Sequence, residues 1–166
     1  MCNSYKLFIL TLLLSVSACG FHLRGTQVNN QTKAYNLYVI DAGASSVGRE
    51  VRTQLELSGT SLALASEGAE YTLQLFDQSV EQSVLSVSAD TGKIEEYQIQ
   101  LSVMMTLTDR DNTELLSNQP IQITRDYGFD EQAVLGSESE RQLLLDEMTK
   151  QTATQIIRRL NTLTGR

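Results

Sequence analysis

Apolar and polar residues alternate between Tyr97 and Leu107. The odd-numbered positions of this stretch are apolar, whereas most even-numbered positions carry Gln, Ser or Thr. Such alternation is typical of a strand that buries one face and exposes the other. Turn-forming residues flank the stretch at 89–92 and 109–112, so the pattern predicts the middle strand of an antiparallel meander.

Further stretches of the chain also have strand character. Residues 34–40 are rich in aromatic and branched side chains, and residues 71–75 alternate as the middle strand does. The apolar positions then change parity before Leu85, which predicts a β-bulge in the intervening stretch. The last strand is predicted over residues 114–127. Pro120 has no backbone N–H to donate and therefore predicts that this strand lies at an edge or contains a bulge.

Two stretches have the spacing of amphipathic helices. In the first, Val47, Val51 and Leu55 recur at every fourth position, and Gly59 follows as a C-terminal stop. The second is predicted to begin at Ser137, because a Ser with a Glu three residues later forms a capping box. The apolar stripe of this second helix consists of Leu144, Leu145, Met148, Thr152, Ala153, Ile156, Ile157, Leu160 and Leu163.

The predicted elements follow the order β-α-β-β-β-α and indicate the α+β class. We expect a two-layer sandwich in which a mixed four-stranded sheet carries both helices on one face. A right-handed crossover through the first helix would make the first two strands parallel neighbours, and the later strands would pair antiparallel. This single domain is predicted to span residues 34–166.

The face of the predicted sheet away from the helices is polar and almost uncharged. Its central residues are Gln98, Gln100, Ser102, Thr106 and Gln122. One interpretation is an ordinary solvated face of an antiparallel sheet. The other is a docking face that meets another polar surface, because a free surface usually carries more Lys and Glu and charges would lose more on desolvation. Composition leaves both interpretations open.

The first residues have the pattern of a secretory signal. A Lys precedes an apolar run over residues 7–16, and small residues follow before Cys19. About ten apolar residues are too few for a membrane-spanning helix, which needs roughly twenty. The small residues before Cys19 resemble a bacterial lipobox, which implies cleavage between Ala18 and Cys19 and attachment of acyl chains such as palmitate to Cys19. We therefore expect residues 1–18 to be removed and residues 19–33 to form a lipidated tether.

The sequence lacks the parts of the common catalytic sites. Its cysteines are Cys2, which the signal would remove, and Cys19, which lipid would occupy, and its one histidine is His22 on the tether. Zinc sites and nucleophile–base pairs therefore have no residues to form them. A net charge of −7 argues against nucleic acid as a partner. We expect a protein without metal or cofactor that binds or assembles and is not an enzyme.

Five short stretches of the chain, the last two of them in the predicted second helix, resemble one family. Residues 19–24 read Cys-Gly-Phe-His-Leu-Arg, residues 51–55 read Val-Arg-Thr-Gln-Leu, and residues 96–98 read Glu-Tyr-Gln. Residues 147–148 add Glu-Met, and residues 155–160 add Gln-Ile-Ile-Arg-Arg-Leu. In order and spacing they resemble the LptE family of lipopolysaccharide-assembly lipoproteins, across essentially the whole mature chain.

The resemblance implies an outer-membrane lipoprotein, anchored by lipid on the periplasmic side, in a one-to-one complex with the barrel protein LptD. It further implies that the lipoprotein plugs the barrel lumen, contacts lipopolysaccharide and assists its export to the cell surface. The alternative is a free-standing periplasmic lipoprotein that binds a small ligand or peptidoglycan. A concave pocket with converging polar groups would favour that alternative.

The chain departs from the family pattern at the positions to which lipopolysaccharide contact is attributed. The family has basic residues at the tip of the second hairpin and in the loop before the last helix, where this chain has Asp90 and Ser137. We therefore expect the contact at Lys93, which is the cation nearest to the tip, at Arg125, or through bridging divalent ions.

Overall fold

The computed structural model describes residues 35–165 of the chain. The predicted signal peptide, Cys19, His22 and the rest of the tether lie outside the described residues. The helices and strands within the described part are β1 (Asn36–Asp41), α1 (Ser46–Leu57), β2 (Ser61–Leu62), β3 (Tyr71–Val87), β4 (Ile94–Asp109), β5 (Glu114–Gly128) and α2 (Val134–Leu163). Neither of these two helices is long and apolar enough to cross a membrane.

The strands form one mixed five-stranded sheet in the order β2-β1-β3-β4-β5. β1 runs parallel to both β2 and β3, whereas the β3–β4 and β4–β5 pairs are antiparallel. The predicted α+β class, the parallel neighbours joined through the first helix and the antiparallel meander are therefore confirmed. The four-stranded prediction missed β2, because a strand of two residues has no periodicity to detect.

Both helices pack on the same face of the sheet. The odd-numbered residues of β4 and the apolar stripes of α1 and α2 are buried in one cluster. Members of this cluster are Val51 of α1, Leu73 of β3, Leu101 and Met105 of β4, and Ile156 of α2, each at most 1% exposed. The even-numbered face of β4 therefore has no helix over it, and this is the face that carries the predicted polar residues.

β3 is irregular where the sequence predicts a bulge, which confirms that prediction. Its pairing with β4 shifts between Phe76 and Ser79, and Asp77 between them has a positive φ of 51°. The shift moves even-numbered residues of β3 to the helix side, so that Val80 lies opposite the core residue Leu101. Val80 is nevertheless exposed. Arg141 of α2 contacts this distal half of β3, where its Nε donates to Oε1 of Gln82 at 3.1 Å, but it leaves Val80 accessible.

α2 begins at Val134, three residues before the predicted start at Ser137. Ser137 is buried inside the first turns of the helix, where its hydroxyl accepts a hydrogen bond from the backbone N–H of Asp130 at 3.3 Å. The predicted capping box is therefore wrong, and the N-cap position is Ala133. Ser137 instead ties the preceding loop to the helix.

The first turn of α1 packs closely against the end of β1. Ser45 caps the helix by accepting the backbone N–H of Gly48 at 2.9 Å. A Cβ atom at Gly48 would lie 2.1 Å from Oδ2 of Asp41. That oxygen is buried and has no hydrogen-bond partner among the described residues. Glycine is therefore required at position 48 for the close approach of the Asp41 carboxylate.

Gly48→Ala is expected to lower the free energy of unfolding. Overpacking costs about 1–3 kcal/mol, whereas the change from glycine to alanine in a helix gains at most about 1 kcal/mol. Asp41→Ala removes the atoms that the new methyl group meets, so Gly48→Ala should be neutral or stabilising in that background. Urea denaturation of the four proteins in this double-mutant cycle measures the coupling. Strictly additive effects would show that the contact is not the cause.

Candidate functional site

The face of the sheet that neither helix covers is termed the open face. Its residues lie in cross-strand rows, which from β3 through β4 to β5 are Phe76–Met104–Pro120, Ser79–Ser102–Gln122, Glu81–Gln100–Thr124 and Ser83–Gln98–Asp126. Thr106 continues the same face of β4 and lies opposite Gln74. The structure thus places all of the polar residues predicted for this face together on it.

Polar side chains of the open face bond to one another within these rows. The hydroxyl oxygens of Ser79 and Ser102 are 2.9 Å apart, and Nε2 of Gln98 donates to Oδ1 of Asp126 at 3.1 Å. Each glutamine amide has two N–H donors and an acceptor oxygen, so one such bond leaves further groups available. The open face therefore keeps hydrogen-bonding capacity for a partner.

One row of the open face is apolar. Phe76 and Met104 are half-buried and Pro120 is exposed, and Ile40 of β1 lies on the same face, opposite Gln74. This apolar row was not predicted from the sequence. The even numbers of Met104 and Pro120, out of phase with the buried positions of β4 and β5, were the available signal. The open face thus combines an apolar band with a neutral polar area.

The charged strand residues of the open face are acidic. Glu81, Glu96 and Asp126 lie toward the β3–β4 turn, and Glu114 lies at the opposite end of the sheet. Within residues 35–165, no Lys or Arg occupies a strand position on this face. The expectation of an almost uncharged face therefore holds for the rows of Met104 and Ser102, and it fails for the rows of Gln100 and Gln98, which contain Glu81 and Asp126. Neutral or basic groups of a partner suit these acidic positions better than anionic ones.

Lys93 lies beside the β3–β4 turn and is paired with a carboxylate. Its ammonium group binds Glu131 in the loop between β5 and α2. This hydrogen bond, together with the attraction between the two charges, raises the pKa of Lys93 above its ordinary value of 10.5, so Lys93 stays protonated at neutral pH. Glu95 and Asp130 also line the cleft of about 250 Å³ at this point, and the surroundings of Lys93 are therefore acidic.

Arg125 faces away from the open face. It lies opposite the core residue Ile99 and so projects toward the helices. Its guanidinium group donates to Oε1 of Gln151 on α2 at 2.6 Å and to the backbone carbonyl of Thr124 at 3.0 Å. The structure therefore does not bring the two predicted cations, Lys93 and Arg125, together.

Three aromatic rings fix the loop that carries Glu131. Tyr97 stacks on Tyr127 with ring centroids 5.7 Å apart, and Phe129 meets Tyr97 edge-on at 5.3 Å. Burial raises the pKa of the Tyr127 phenol. The backbone N–H of Phe129 donates to the carbonyl of Glu95 at 2.8 Å. These contacts hold the loop beside the β3–β4 hairpin and explain why Glu131 reaches the lysine there.

A second cleft, of about 370 Å³, lies where β1 and β3 approach the first turn of α1. Most of its lining side chains are polar or acidic, among them Asp41, Ser45, Asp77 and Gln78. Ligand pockets are usually lined mainly by apolar and aromatic side chains. No group of three or more metal-ligating side chains occurs in the described part of the chain. This cleft therefore gives no specific support to a small-ligand function.

The chain is similar over most of its length to proteins of one family. A family model described as "LptE: Lipopolysaccharide-assembly" matches residues 26–160. The chain is 32% identical over 162 residues to the LPS-assembly lipoprotein LptE of Photorhabdus laumondii, which covers 93% of this chain and 86% of that protein. It is 31% identical over 167 residues to the protein of the same name from Pectobacterium atrosepticum, covering 97% and 88%.

Solved structures of bacterial lipoproteins share the fold. For the rare lipoprotein B of Shewanella oneidensis, the TM-score is 0.68 at 26% identity, and the match covers 76% of this chain and 94% of that one. For lipoprotein B of Nitrosomonas europaea, the TM-score is 0.74 at 27% identity, with 87% and 92% covered. The similarity therefore extends to sequence and three-dimensional structure alike.

Proposed function

The chain is a member of the LptE family of lipopolysaccharide-assembly lipoproteins, and we propose that it acts in the delivery of lipopolysaccharide to the cell surface. In this proposal the protein is an outer-membrane lipoprotein, held by its lipid on the periplasmic side. It forms a one-to-one complex with the β-barrel protein LptD and fills the lumen of the barrel. Its role is assembly and not catalysis.

The open face of the sheet is the observation that carries this proposal. Its centre presents amide and hydroxyl groups with spare hydrogen-bonding capacity, beside the apolar row of Phe76, Met104 and Pro120. The lumen of an outer-membrane barrel is polar. The neutral rows of this face can dock against such a wall without burying an unpaired charge, which would cost about several kcal/mol. Glu81 and Asp126 on the same face would need basic or hydrogen-bonding groups of the barrel opposite them.

Affinity purification of the lipoprotein from detergent-solubilised outer membranes tests the proposal. We expect a large β-barrel protein to co-purify in equal molar amount, as quantified by gel staining and identified by mass spectrometry. The same purification of an unrelated outer-membrane lipoprotein controls for barrels that bind the resin. Recovery of this lipoprotein alone, in a detergent that preserves barrel complexes, would contradict the proposal.

We also propose that acyl chains on Cys19 anchor the domain after cleavage behind Ala18. Cys19→Ser is expected to yield unlipidated precursor or soluble protein, because the acyl chains provide the membrane affinity. The melting temperature of the domain should not change, since within residues 35–165 the buried core already extends from Tyr35 to Leu160. Incorporation of radiolabelled palmitate and a thermal melt of the variant made without the signal measure these outcomes. Loss of cooperative melting would show that residues 19–33 belong to the fold.

Lys93 is the first candidate that we propose for contact with the phosphate groups of lipopolysaccharide, and Arg125 is the second. Contact at Lys93 requires phosphate to replace the Glu131 carboxylate. Glu131→Gln removes this competing charge and is expected to strengthen lipopolysaccharide binding severalfold, whereas Lys93→Gln should weaken it. Fluorescence titration of the purified domain at low and high salt measures the effect, because binding between exposed charges weakens as salt rises.

Lys150→Gln is the matched control for the Lys93 variant. Lys150 is exposed on α2, and its backbone carbonyl accepts a hydrogen bond from Gln54 of α1, away from the hairpin turn. Equal weakening by Lys93→Gln and Lys150→Gln would mean that only net charge matters. Weakening by Arg125→Gln alone would instead place the contact on the helix side of β5.

A further inference from the structure

The sheet has two free edges of opposite character. β5 is an edge strand along its whole length. β3 is paired with β1 only from Tyr71 to Leu75, so its outer edge is open beyond the bulge. We define the free edge of β3 as residues Ser79–Val84, the stretch that pairs with β4 without a register shift. Six residues are a usual length for a strand.

β5 is protected against pairing with a further strand. Pro120 has no N–H to donate, and Asn118 adopts a positive φ of 46° where the ladder to β4 is irregular. Charged residues also lie along this strand, among them Arg125 and Asp126. Proline, backbone irregularity and charge are the devices by which natural proteins block edge-to-edge pairing.

The free edge of β3 has almost none of these devices. It contains no Pro or Gly, and Glu81 is its only charged residue. Val80 and Val84 are 42% and 50% exposed. Among the residues that the structure describes, its backbone makes no backbone–backbone hydrogen bond except those with β4. Unpaired N–H and C=O groups beside exposed branched side chains form a template for another strand.

We infer that the free edge of β3 receives an extended segment of the partner protein, which pairs with it as an additional strand of the sheet. This inference rests on the proposed complex with a β-barrel. The strands of a closed barrel are already paired on both edges, so the segment must come from a loop or a chain end that enters the lumen. In strand addition of this kind, main-chain hydrogen bonds provide affinity and alternate side chains provide specificity.

The side chains of the free edge define the chemistry of the segment that fits it. Val80, Gln82 and Val84 lie on the helix side, where Oε1 of Gln82 accepts from Nε of Arg141 at 3.1 Å, whereas Ser79, Glu81 and Ser83 lie on the open face. In a segment that fits this edge, apolar residues that face the helix side would alternate with small polar residues that face the open face. A Lys or Arg opposite Glu81 would pair with the one charge of the edge.

Amide hydrogen exchange of the full lipoprotein, alone and in its purified complex with the barrel, tests the inference. In the free protein, the amides of residues 79–84 that point away from β4 should exchange rapidly. In the complex we expect these amides to exchange at least about tenfold more slowly, as hydrogen-bonded amides do. The outward amides of β5 are the internal reference. Equal slowing at both edges would show general exclusion of solvent and would overturn the inference.

Val84→Lys places a charge on the free edge, as natural edge strands do to block pairing. Val87→Lys is the matched control, because it makes the same change on the same strand at a 55% exposed position beyond the free edge. Both variants should melt as the wild-type protein does. We expect Val84→Lys to abolish the slowed exchange in the complex and Val87→Lys to retain it.

The remaining outcomes separate this inference from the proposed function. Recovery of the barrel with fast exchange at residues 79–84 would overturn the inference and leave the proposed function intact. Failure to recover any barrel would overturn the proposed function. Slow exchange in the free lipoprotein would also overturn the inference. A doubled mass in solution would then identify the occupant as a second copy of this chain, and a monomeric mass would show that the chain covers its own edge.

Discussion

Leu101→Ala is expected to lower the free energy of unfolding of the domain by about 2–5 kcal/mol. Leu101 is 1% exposed and lies in the central part of β4, opposite Ile123 of β5. Truncation leaves a cavity beneath the helices, since a strand that is paired on both sides cannot move far enough to fill it. The loss is large for a domain whose total stability is about 5–15 kcal/mol.

Thermal and urea denaturation of the purified domain measure this loss. Leu101→Met approximately conserves the volume of the side chain, so it is the matched control and should cost less than about 1.5 kcal/mol. A loss for Leu101→Ala no greater than for Leu101→Met would contradict the placement of residue 101 in the core.

Gln100→Glu is expected to weaken association with the proposed barrel partner by about 2–5 kcal/mol, the usual range for a buried charge without its partner. The new carboxylate would lose water on docking, and Glu81 lies directly opposite it on β3. In the isolated domain Gln100 is only half-buried, so the change should lower stability by no more than about 1 kcal/mol. Co-purification with the barrel and the melting temperature of the domain are the two measurements.

Gln155→Glu makes the same change at an exposed position of α2 and separates the open face from the effect of net charge. If both variants weaken association equally, net charge is the cause. If Gln100→Glu binds the barrel as the wild-type protein does, the open face stays hydrated in the complex. Unfolding of the Gln100→Glu domain would mean that residue 100 does not lie on the open face.

β4 shows why much of this fold is predictable from the sequence. A strand in the middle of a sheet has one environment on each face, so burial imposes regular alternation, and a slip of one residue would expose the whole apolar set. α1 likewise buries one stripe, formed by Val47, Val51 and Leu55. The position of Gln100 on the open face follows from the register of β4 alone.

The features that the sequence did not predict depend on neighbours that are distant along the chain. β2 forms because Ser61 pairs with Asn36 of β1. A strand of two residues is too short to show alternation of apolar and polar positions. Val80 has an apolar side chain of the kind that is usually buried, but it is exposed. α1 starts beside the bulge of β3, where the N–H of Val47 donates to Oε1 of Gln78 at 3.0 Å. Beyond the bulge, Arg141 of α2 contacts Gln82 and leaves Val80 accessible.

The candidate site likewise has some features that the sequence predicts and others that it does not. Periodicity is sufficient to place the polar residues of the open face, but it says nothing about the surroundings of the two cations. Lys93 pairs with a carboxylate 38 positions later, and Arg125 bonds to Gln151, 26 positions later. Pairings over such separations are set by the loop conformation and the packing of α2, and no local pattern encodes them.

In the proposed complex, the length of the β3–β4 hairpin determines how far the protein would reach along the barrel lumen. At about 3.3 Å per residue, the 17 residues of β3 extend up to about 55 Å. Leu37 lies opposite Tyr71, so β1 begins at the level where β3 begins, and the hairpin turn is at the far end. A bilayer with its headgroups is about 40–45 Å thick. A domain standing upright in the proposed lumen, with the start of β1 at the periplasmic surface, would therefore bring Asp90 and Lys93 about 10 Å past the opposite surface.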